Sequence, residues 1–351
     1  MKKDVFIVGV KSIFPKLYDT VHVIDKLYNK KFASDRVNKL ATRLGVNTQI
    51  KNRAISIDLE QFPKKVVALD DSPVVWAKNI IHDISKQSNF PIEFLSVSYN
   101  TSSHEIAIPN LSCQIAHACG LDLEIPPQEI ANYGCASGIF SIQNAVDFCQ
   151  KNDVLASVVA FEQSSYAFKP IHDEDDVNFK ASLRTHMLFG DGGAGVLIAS
   201  EKKAAGFEKK LKIIDVHLGF QYGDVIKMDD GYFFTGDGVK DVMPQLVSNK
   251  IIKPMLVKNG LKVEEILEWS LHQGGLPVVE SFMDPEILGL SAEQVELSKK
   301  MFREYGNIST PSNFIVLEQH FKHGKGKIGD YGMIVGFGGG FYFGAALYQH
   351  C

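Results

Sequence analysis

The chain has 351 residues, a formal net charge of -4 at pH 7 and 45% hydrophobic residues. That length is enough for about two domains with a sizeable core. The nearly balanced charge argues against nucleic acid or an anionic membrane surface as a general partner.

The N-terminus and the cysteines indicate the compartment. The first apolar stretch, Val5–Val10, is too short for a secretion signal and is typical of a first β-strand. Because no apolar segment reaches about 18 residues without charges, no membrane span is expected. The cysteines are odd in number and lack CxxC spacing, which predicts free thiols in a reducing cytoplasm; they are Cys113, Cys119, Cys135, Cys149 and Cys351.

Short β-rich runs alternate with helical patterns in the first part of the chain. Strands are predicted at Val5–Val10, Leu95–Tyr99 and Val154–Phe161, and helices at Leu111–Cys119 and Cys135–Cys149. The segment Met187–Ile198, interrupted by Gly190–Gly193, predicts a strand, a turn and a second strand. Residues from about 16 to 95 indicate a helical and loop insertion after the first strand.

A similar order of elements starts again after Lys202–Lys210. Strands are predicted at Leu211–Leu218, Leu267–Leu271, Met333–Gly336 and Tyr342–Tyr348, and helices at Gly238–Val257 and Ser291–Tyr305. We therefore expect an α/β protein made of two pseudo-repeated halves, residues 1–205 and 206–351.

Cys135 is the first candidate for chemistry. It lies in Gly134-Cys135-Ala136-Ser137-Gly138, directly before an apolar helical run. A thiol at the first turn of a helix faces unpaired N–H groups and the positive end of the helix dipole, which favour the thiolate. Such a cysteine is a candidate acyl-accepting nucleophile, although a small buried residue at a tight turn has the same local sequence.

Two further segments are typical of sites. His272 follows the apolar run Ile266–Leu271 and precedes Gln273-Gly274-Gly275, which would expose it above the end of a strand. Asn307 lies in Tyr305-Gly306-Asn307-Ile308-Ser309. Each residue also has a purely structural interpretation. His272 could be a histidine bonded to backbone, and Asn307 could form part of a turn or helix cap.

Taken together, these segments resemble the condensing enzymes of the thiolase fold. The chain is most similar to 3-oxoacyl-[acyl-carrier-protein] synthase III, with chalcone-synthase-type polyketide synthases next. Five motifs carry the resemblance in the family order: Gly134–Gly138, Leu188–Gly195, His272-Gln273, Tyr305–Ser309 and Gly336–Phe341. The resemblance implies a five-layered αβαβα fold and a homodimer.

The same resemblance implies roles for the motif residues. Cys135 would take an acyl group from a thioester, while the backbone N–H groups of Cys135 and Gly339 form an oxyanion hole. His272 and Asn307 would stabilise the enolate left when a malonyl-type thioester loses carbon dioxide, or the enolate formed from a β-ketoacyl-type thioester. The expected reaction is a decarboxylative Claisen condensation in a specialised fatty-acid or polyketide pathway. It uses acyl-CoA or an acyl carrier protein and needs no metal or other cofactor.

The chain also departs from the synthase III pattern. Gly274-Gly275 and Pro277 replace residues that the family often uses next to its His-Gln, so the contact with a carrier protein is in doubt. Arg43 or Arg53 could instead contact the phosphates of CoA, with Phe32 in place of the family's entrance tryptophan; a solvated basic surface is the alternative. Glu105 lies in the loop that the family contributes to its partner's pocket, where it could act as an accessory base or form a surface pair.

Two other functions use the same residues differently. The acyl group on Cys135 could pass to another nucleophile without decarboxylation, or the chain could be a non-catalytic partner of an active subunit. Asn307 favours condensation, since simple acyl transfer needs no group to stabilise an enolate. A non-catalytic subunit would be expected to lack Cys135, His272 or Asn307.

Overall fold

A computed structural model describes residues 3–236 and 239–351. The strands are β1 (Val5–Ile13), β2 (Leu17–Asp19), β3 (Asn52–Ala54), β4 (Phe94–Tyr99), β5 (Gln128–Ala131), β6 (Leu155–Gln163), β7 (Asp191–Ser200), β8 (Leu211–Phe220), β9 (Ile226–Asp229), β10 (Tyr232–Thr235), β11 (Ile266–Leu271), β12 (Tyr331–Gly338) and β13 (Tyr342–His350). The helices are α1 (Thr20–Tyr28), α2 (Asp35–Asn47), α3 (Pro73–Ser85), α4 (Leu111–Ala118), α5 (Ser137–Lys151), α6 (Phe179–Leu188), α7 (Glu201–Ala204), α8 (Val239–Val247), α9 (Lys253–Lys258), α10 (Leu276–Ser281), α11 (Ala292–Tyr305) and α12 (Ser312–His323).

The large sheet consists of two half-sheets with the same internal pattern. The N-terminal half has the order β1-β7-β6-β4-β5 and the C-terminal half the order β8-β13-β12-β11. In each half the first three strands pair antiparallel, and the next pair is parallel. A short antiparallel pairing of β1 with β8 joins the halves into one nine-stranded sheet. The pseudo-repeat expected from the sequence is therefore visible in the strand order.

Helices α5 and α12 lie between the half-sheets and occupy equivalent positions in the two repeats. Both pack against strands from both halves, and their apolar residues share one core with β1, β6, β7 and β8. The outer layers are α3 and α4 on the first half-sheet and α8 to α11 on the second. Burial of each Ile or Phe side chain in such a core stabilises the fold by roughly 1.5–3 kcal/mol. The layers follow the expected αβαβα arrangement.

The structure confirms most elements expected from the sequence and corrects one. The segment expected to form a strand, a turn and a strand over Met187–Ile198 contains the end of α6 followed by β7. Gly192 and Gly193 are not a turn but the start of β7, where a side chain would crowd Phe14 and Ile80. The Gly238–Val257 helix becomes α8, a π-helical turn at Ser248–Ile252, and α9; Gly238 lies outside the described residues.

The insertion after β1 contains α1, α2, α3 and the two-stranded ribbon of β2 and β3. The apolar residues of α1, α2 and the segment after β3 form a separate core with α6, whereas α3 packs on the first half-sheet. This places the insertion beside the end of α6, close to the segment that carries Asn307. Across residues 3–236 and 239–351, no helix has both the length and the apolar character needed to cross a membrane.

Candidate active site

Cys135 lies in a tight turn between β5 and α5. Asn132 and Gly134 have φ angles of 65° and 57°, so the chain reverses sharply before the helix begins. A Cβ on Gly134 would lie 2.6 Å from Gly339 N, and one on Gly338 would overlap Cys135 N. The turn and the end of β12 are therefore packed backbone against backbone, which only glycine permits.

His272 follows the last residue of β11. Its N–H donates to Val335 O on β12 at 2.9 Å, which fixes the end of the strand. The ring packs edge-on against Phe337, with centroids 5.1 Å apart, and the residue is buried. Its Nδ1 has no hydrogen-bond partner within the described residues. His272 is therefore held by backbone and packing, with its Nε2 edge near Gly274.

Asn307 is held by two backbone hydrogen bonds across the end of α6. Its N–H donates to Leu188 O at 3.0 Å, and Gly190 N–H donates to Asn307 O at 3.0 Å. The side-chain Oδ1 accepts from Ser309 N–H at 2.8 Å. With its oxygen engaged, the carboxamide presents its NH₂ group as the free donor.

Two cavities of about 460 and 370 Å³ meet at Cys135. Residues that line both are Cys135, Ile226, Phe233 and Gly339. The smaller cavity also contains His272 and Asn307, so the structure brings all three predicted catalytic residues to one space. The larger cavity lies on the other side of Cys135 and contains Glu162, Asn100 and Ser309.

Burial sets the protonation of Cys135 and His272. It raises the pKa of the Cys135 thiol to about 12, an effect opposed by the hydrogen bond with Ser309 Oγ at 3.4 Å. The lowered pKa expected from the helix N-terminus is thus corrected, because loss of water outweighs the dipole. Burial also lowers the pKa of His272 to about 3. At neutral pH the resting site holds a thiol and a neutral imidazole.

Glu162 is a buried site residue that the sequence analysis missed. Asn100 Nδ2 donates to it at 3.0 Å, Thr310 Oγ1 at 3.2 Å, and Thr101 N–H also donates to it. Burial raises the pKa of Glu162, while these donors lower it. The available signal was a run of polar residues directly after the apolar strand Val154–Phe161.

The remaining predicted site residues lie in different places. Gly339 lines both cavities, as an oxyanion-hole residue must. Arg43 and Phe32 are exposed, and Phe32 stacks on His172. Glu105 is exposed and accepts a hydrogen bond from Tyr166 at 3.2 Å.

The structure contradicts the expectation that Arg53 contacts the phosphates of CoA. It is wholly buried in β3, with 0% of its surface exposed, and it lines neither cavity at Cys135. Its Nη1 donates to His186 O near the end of α6. A guanidinium in that position cannot reach the phosphates of CoA at the surface.

In the part of the chain that is described, no group of three or more His, Cys, Asp or Glu residues could hold a metal ion.

Comparisons with known proteins identify one matching family and several relatives. Residues 256–350 match the family described as 3-oxoacyl-[acyl-carrier-protein] synthase III, C terminal. A Bacillus subtilis protein assigned as a chalcone synthase is 28% identical over 73% of this chain and 70% of its own length. The phloroglucinol synthase of Pseudomonas fluorescens is 24% identical, with 86% of each chain covered.

The fold is also found among solved structures. The C-terminal type III polyketide synthase domain of Steely1 from Dictyostelium superposes with a TM-score of 0.79 at 17% identity, and 99% of each chain is covered. The fold is therefore shared over the full length of this chain. The chain is a thiolase-fold condensing enzyme, an acyltransferase related to 3-oxoacyl-[acyl-carrier-protein] synthase III and to the type III polyketide synthases.

Proposed function

We propose that this chain is a polyketide-forming condensing enzyme that loads an acyl group from acyl-CoA onto Cys135 and extends it with a malonyl-type thioester. The observation that carries the proposal is the shared cavity of Cys135, His272 and Asn307. A nucleophile and two neutral donors around one space are the groups that a decarboxylative condensation needs.

Acylation begins from the thiol. As Cys135 Sγ bonds to the thioester carbon, its proton passes through water towards the CoA sulfur, and the carbonyl oxygen takes up the negative charge. The N–H groups of Cys135 and Gly339 supply the oxyanion hole. When the carbonyl re-forms, the bond to the CoA sulfur breaks, and CoA leaves as the thiol with that proton.

His272 stays neutral throughout, with its proton on Nε2. Burial disfavours the imidazolium, which accounts for the lowered pKa. An unprotonated Nδ1 is consistent with the absence of an acceptor for it among the described residues. The Nε2–H is therefore available as a neutral donor.

The second substrate occupies the same cavity. Its carboxylate leaves as carbon dioxide, and the electron pair of the broken bond forms an enolate. His272 Nε2–H and the Asn307 carboxamide donate to the enolate oxygen. The enolate carbon attacks the acyl carbonyl, a carbon–carbon bond forms, and the Cys135 sulfur leaves and regains a proton.

CoA thioesters are the substrates we propose, in preference to carrier-protein thioesters. Pro277 and Gly275 line the smaller cavity, where synthase III enzymes often place an arginine for the carrier. Relatives that are named by their products include a phloroglucinol synthase and 3,5-dihydroxyphenylacetyl-CoA synthases. These names support repeated extension followed by cyclisation in this chain as well. No cofactor enters the scheme.

A cytoplasmic homodimer completes the proposal. Ile106 and Ile108 are 56% and 89% exposed in the loop before Pro109, the loop expected to reach the partner's pocket. Apolar side chains exposed to this degree favour a protein interface.

The test separates condensation from simple acyl transfer. The variant Cys135→Gln cannot be acylated, but it retains His272 and Asn307, so it should release carbon dioxide from malonyl-CoA. The matched variant Cys135→Gln with Asn307→Ala should release far less. Absence of carbon dioxide release by both, together with acylation of Cys135 in the wild type, would assign the protein to acyl transfer without decarboxylation.

A further inference from the structure

Arg53 carries a charge in the interior without full pairing. Nη1 donates to His186 O, whereas Nε and Nη2 have no partner within residues 3–236 and 239–351. Burial lowers its pKa to about 10, so it is still cationic at neutral pH. Burying a cation with unpaired donors opposes folding, and such an exception calls for a specific explanation.

The stem of Arg53 packs directly beneath the segment that carries Asn307. A Cβ on Gly306 would lie 3.4 Å from Arg53 Cγ and 3.0 Å from Leu188 O. Gly306 has a φ of 79°, which L side chains rarely adopt. The backbone before Asn307 is therefore in close contact with the Arg53 methylenes, and no side chain separates them.

The guanidinium of Arg53 holds the same end of α6 to which Asn307 is bonded. Its acceptor, His186 O, lies in the last turn of α6, where a cation is favoured by the helix dipole. Two residues later, Leu188 O accepts from Asn307 N–H, and Gly190 N–H donates to Asn307 O. One side chain thus contacts the segments on both sides of this short backbone pairing, with its guanidinium at His186 O and its methylenes beside Gly306.

The orientation of the Asn307 carboxamide depends on that pairing. Its Oδ1 is engaged by Ser309 N–H, so the direction of Nδ2 follows the backbone of residues 306–309. A shift of a fraction of an ångström at the backbone would misalign the donor with the enolate oxygen. Acylation of Cys135 does not use this donor.

We propose that Arg53 is a positioning residue for Asn307, acting through the end of α6 and the Gly306 contact. This inference rests on the proposed function, because it assigns Asn307 to the decarboxylation step. It predicts that a change at Arg53 impairs decarboxylation more than acylation of Cys135. A general loss of structure would impair both steps.

The test compares Arg53→Lys and Arg53→Met with Arg36→Met, which removes an exposed arginine of α2 paired with Glu174. We expect carbon dioxide release from malonyl-CoA to fall roughly tenfold in Arg53→Lys and more in Arg53→Met. The rate of Cys135 acylation should stay within about threefold of wild type, and Arg36→Met should change neither rate. If Arg53→Met fails to fold, the rates of Arg53→Lys alone test the positioning role.

A double-mutant cycle with Asn307→Ala tests the route of the effect. If Arg53 acts through Asn307, adding Arg53→Lys to Asn307→Ala should lower carbon dioxide release no further. Equal losses of acylation and decarboxylation, no loss in either, or effects that multiply in the cycle would each overturn the inference.

A readout independent of activity separates this inference from the proposed function. The carboxamide resonance of Asn307, assigned in ¹⁵N-asparagine-labelled protein by its loss in Asn307→Ala, should shift in Arg53→Lys and not in Arg36→Met. An unmoved resonance overturns the positioning role. Wild-type protein that neither becomes acylated nor releases carbon dioxide contradicts the proposed function instead.

Discussion

At the scale of residues, the site depends on how burial controls two protons. Cys135 is a thiol with a raised pKa, and His272 is a neutral imidazole with a lowered one. A neutral histidine suits an enolate, because it donates a hydrogen bond without readily giving up its proton to carbon. In the proposed scheme, the helix N-terminus at Cys135 stabilises the oxyanion of the acyl intermediate and not a resting thiolate.

Asn307→Ala should separate the two half-reactions. Removal of one donor to a developing oxyanion typically lowers the rate about 10²–10³-fold, and here the affected step is decarboxylation. Cys135 acylation should change little, since Asn307 does not contact that oxyanion in the proposed scheme. Stopped assays of carbon dioxide and of acyl-protein measure the two steps; equal losses in both would contradict the assignment.

His272 should make the protein less stable in mild acid. Its pKa is about 3 when folded and about 6.5 in the unfolded chain, so between these values only the unfolded state binds the proton. Stability should fall as the pH drops from 6.5 towards 3, with up to about 1.4 kcal/mol per pH unit from this residue. The free energy of unfolding, measured in urea at pH 7, 6 and 5, should depend less steeply on pH in His272→Gln than in the wild type. An equally steep dependence in both proteins would contradict this contribution of His272.

At the scale of elements, the site is assembled where backbones touch without side chains. The turn at Cys135 meets the end of β12, and the Asn307 segment meets the ends of α6 and β3. Glycines at 134, 338 and 306 permit these approaches. The three proposed catalytic residues come from separate parts of the chain, and glycine contacts position the segments of Cys135 and Asn307.

Gly338→Ala should slow the acylation of Cys135 although Cys135 itself is unchanged. The new methyl group would overlap Cys135 N and lie 3.0 Å from Gly134 C, so one of the two backbones must move. We expect Cys135 acylation to fall more than tenfold, measured by intact mass. Gly206→Ala is the control, since its Cβ would meet nothing closer than 3.7 Å; equal rates in both variants would contradict this account.

The elements predicted from sequence were those with a local signal. Apolar runs identified β1, β4, β6, β8 and β13, and apolar spacing identified α4, α5 and α11. Helix α12 was missed because its first seven residues are all buried, which leaves no polar face to detect. The apolar end of α6 was taken for a strand for a similar reason.

The candidate site shows the same difference between residues that have a local sequence signal and residues that have none. Cys135, His272 and Asn307 stood out through the glycines and polar residues around them. Arg53 was misplaced because Lys51-Asn52-Arg53 has the composition of a solvated surface, and only tertiary packing turns Arg53 inward. Glu162 was missed because a glutamate after a strand has no local feature that shows it to be buried.

At the scale of the whole molecule, the two repeats contribute different parts of one site. The first half provides Cys135 at the start of α5, and the second provides Asn307 just before the equivalent helix α12. His272 follows β11 at the edge of the second half-sheet. The two repeats thus place the starts of two equivalent helices at one site, and only one of them carries the proposed nucleophile.

The proposed dimer makes a prediction at this scale. Sedimentation of the purified protein should give twice the chain mass, and Ile108→Asp should shift it towards one chain mass because a charge replaces an apolar contact. The surface variant Arg36→Met should remain dimeric. A wild-type protein that sediments as a single chain would refute the dimer.

The most direct test of condensation is to follow labelled carbon into the product. Wild-type protein is supplied with a panel of acyl-CoA starters and uniformly ¹³C-labelled malonyl-CoA, and both the protein and the released products are weighed by mass spectrometry. We predict an acyl adduct on Cys135 that disappears when malonyl-CoA is added, and products that gain two labelled carbons per carbon dioxide released. An acyl adduct that leaves Cys135 without gaining labelled carbon, or one located on another residue, would contradict the account.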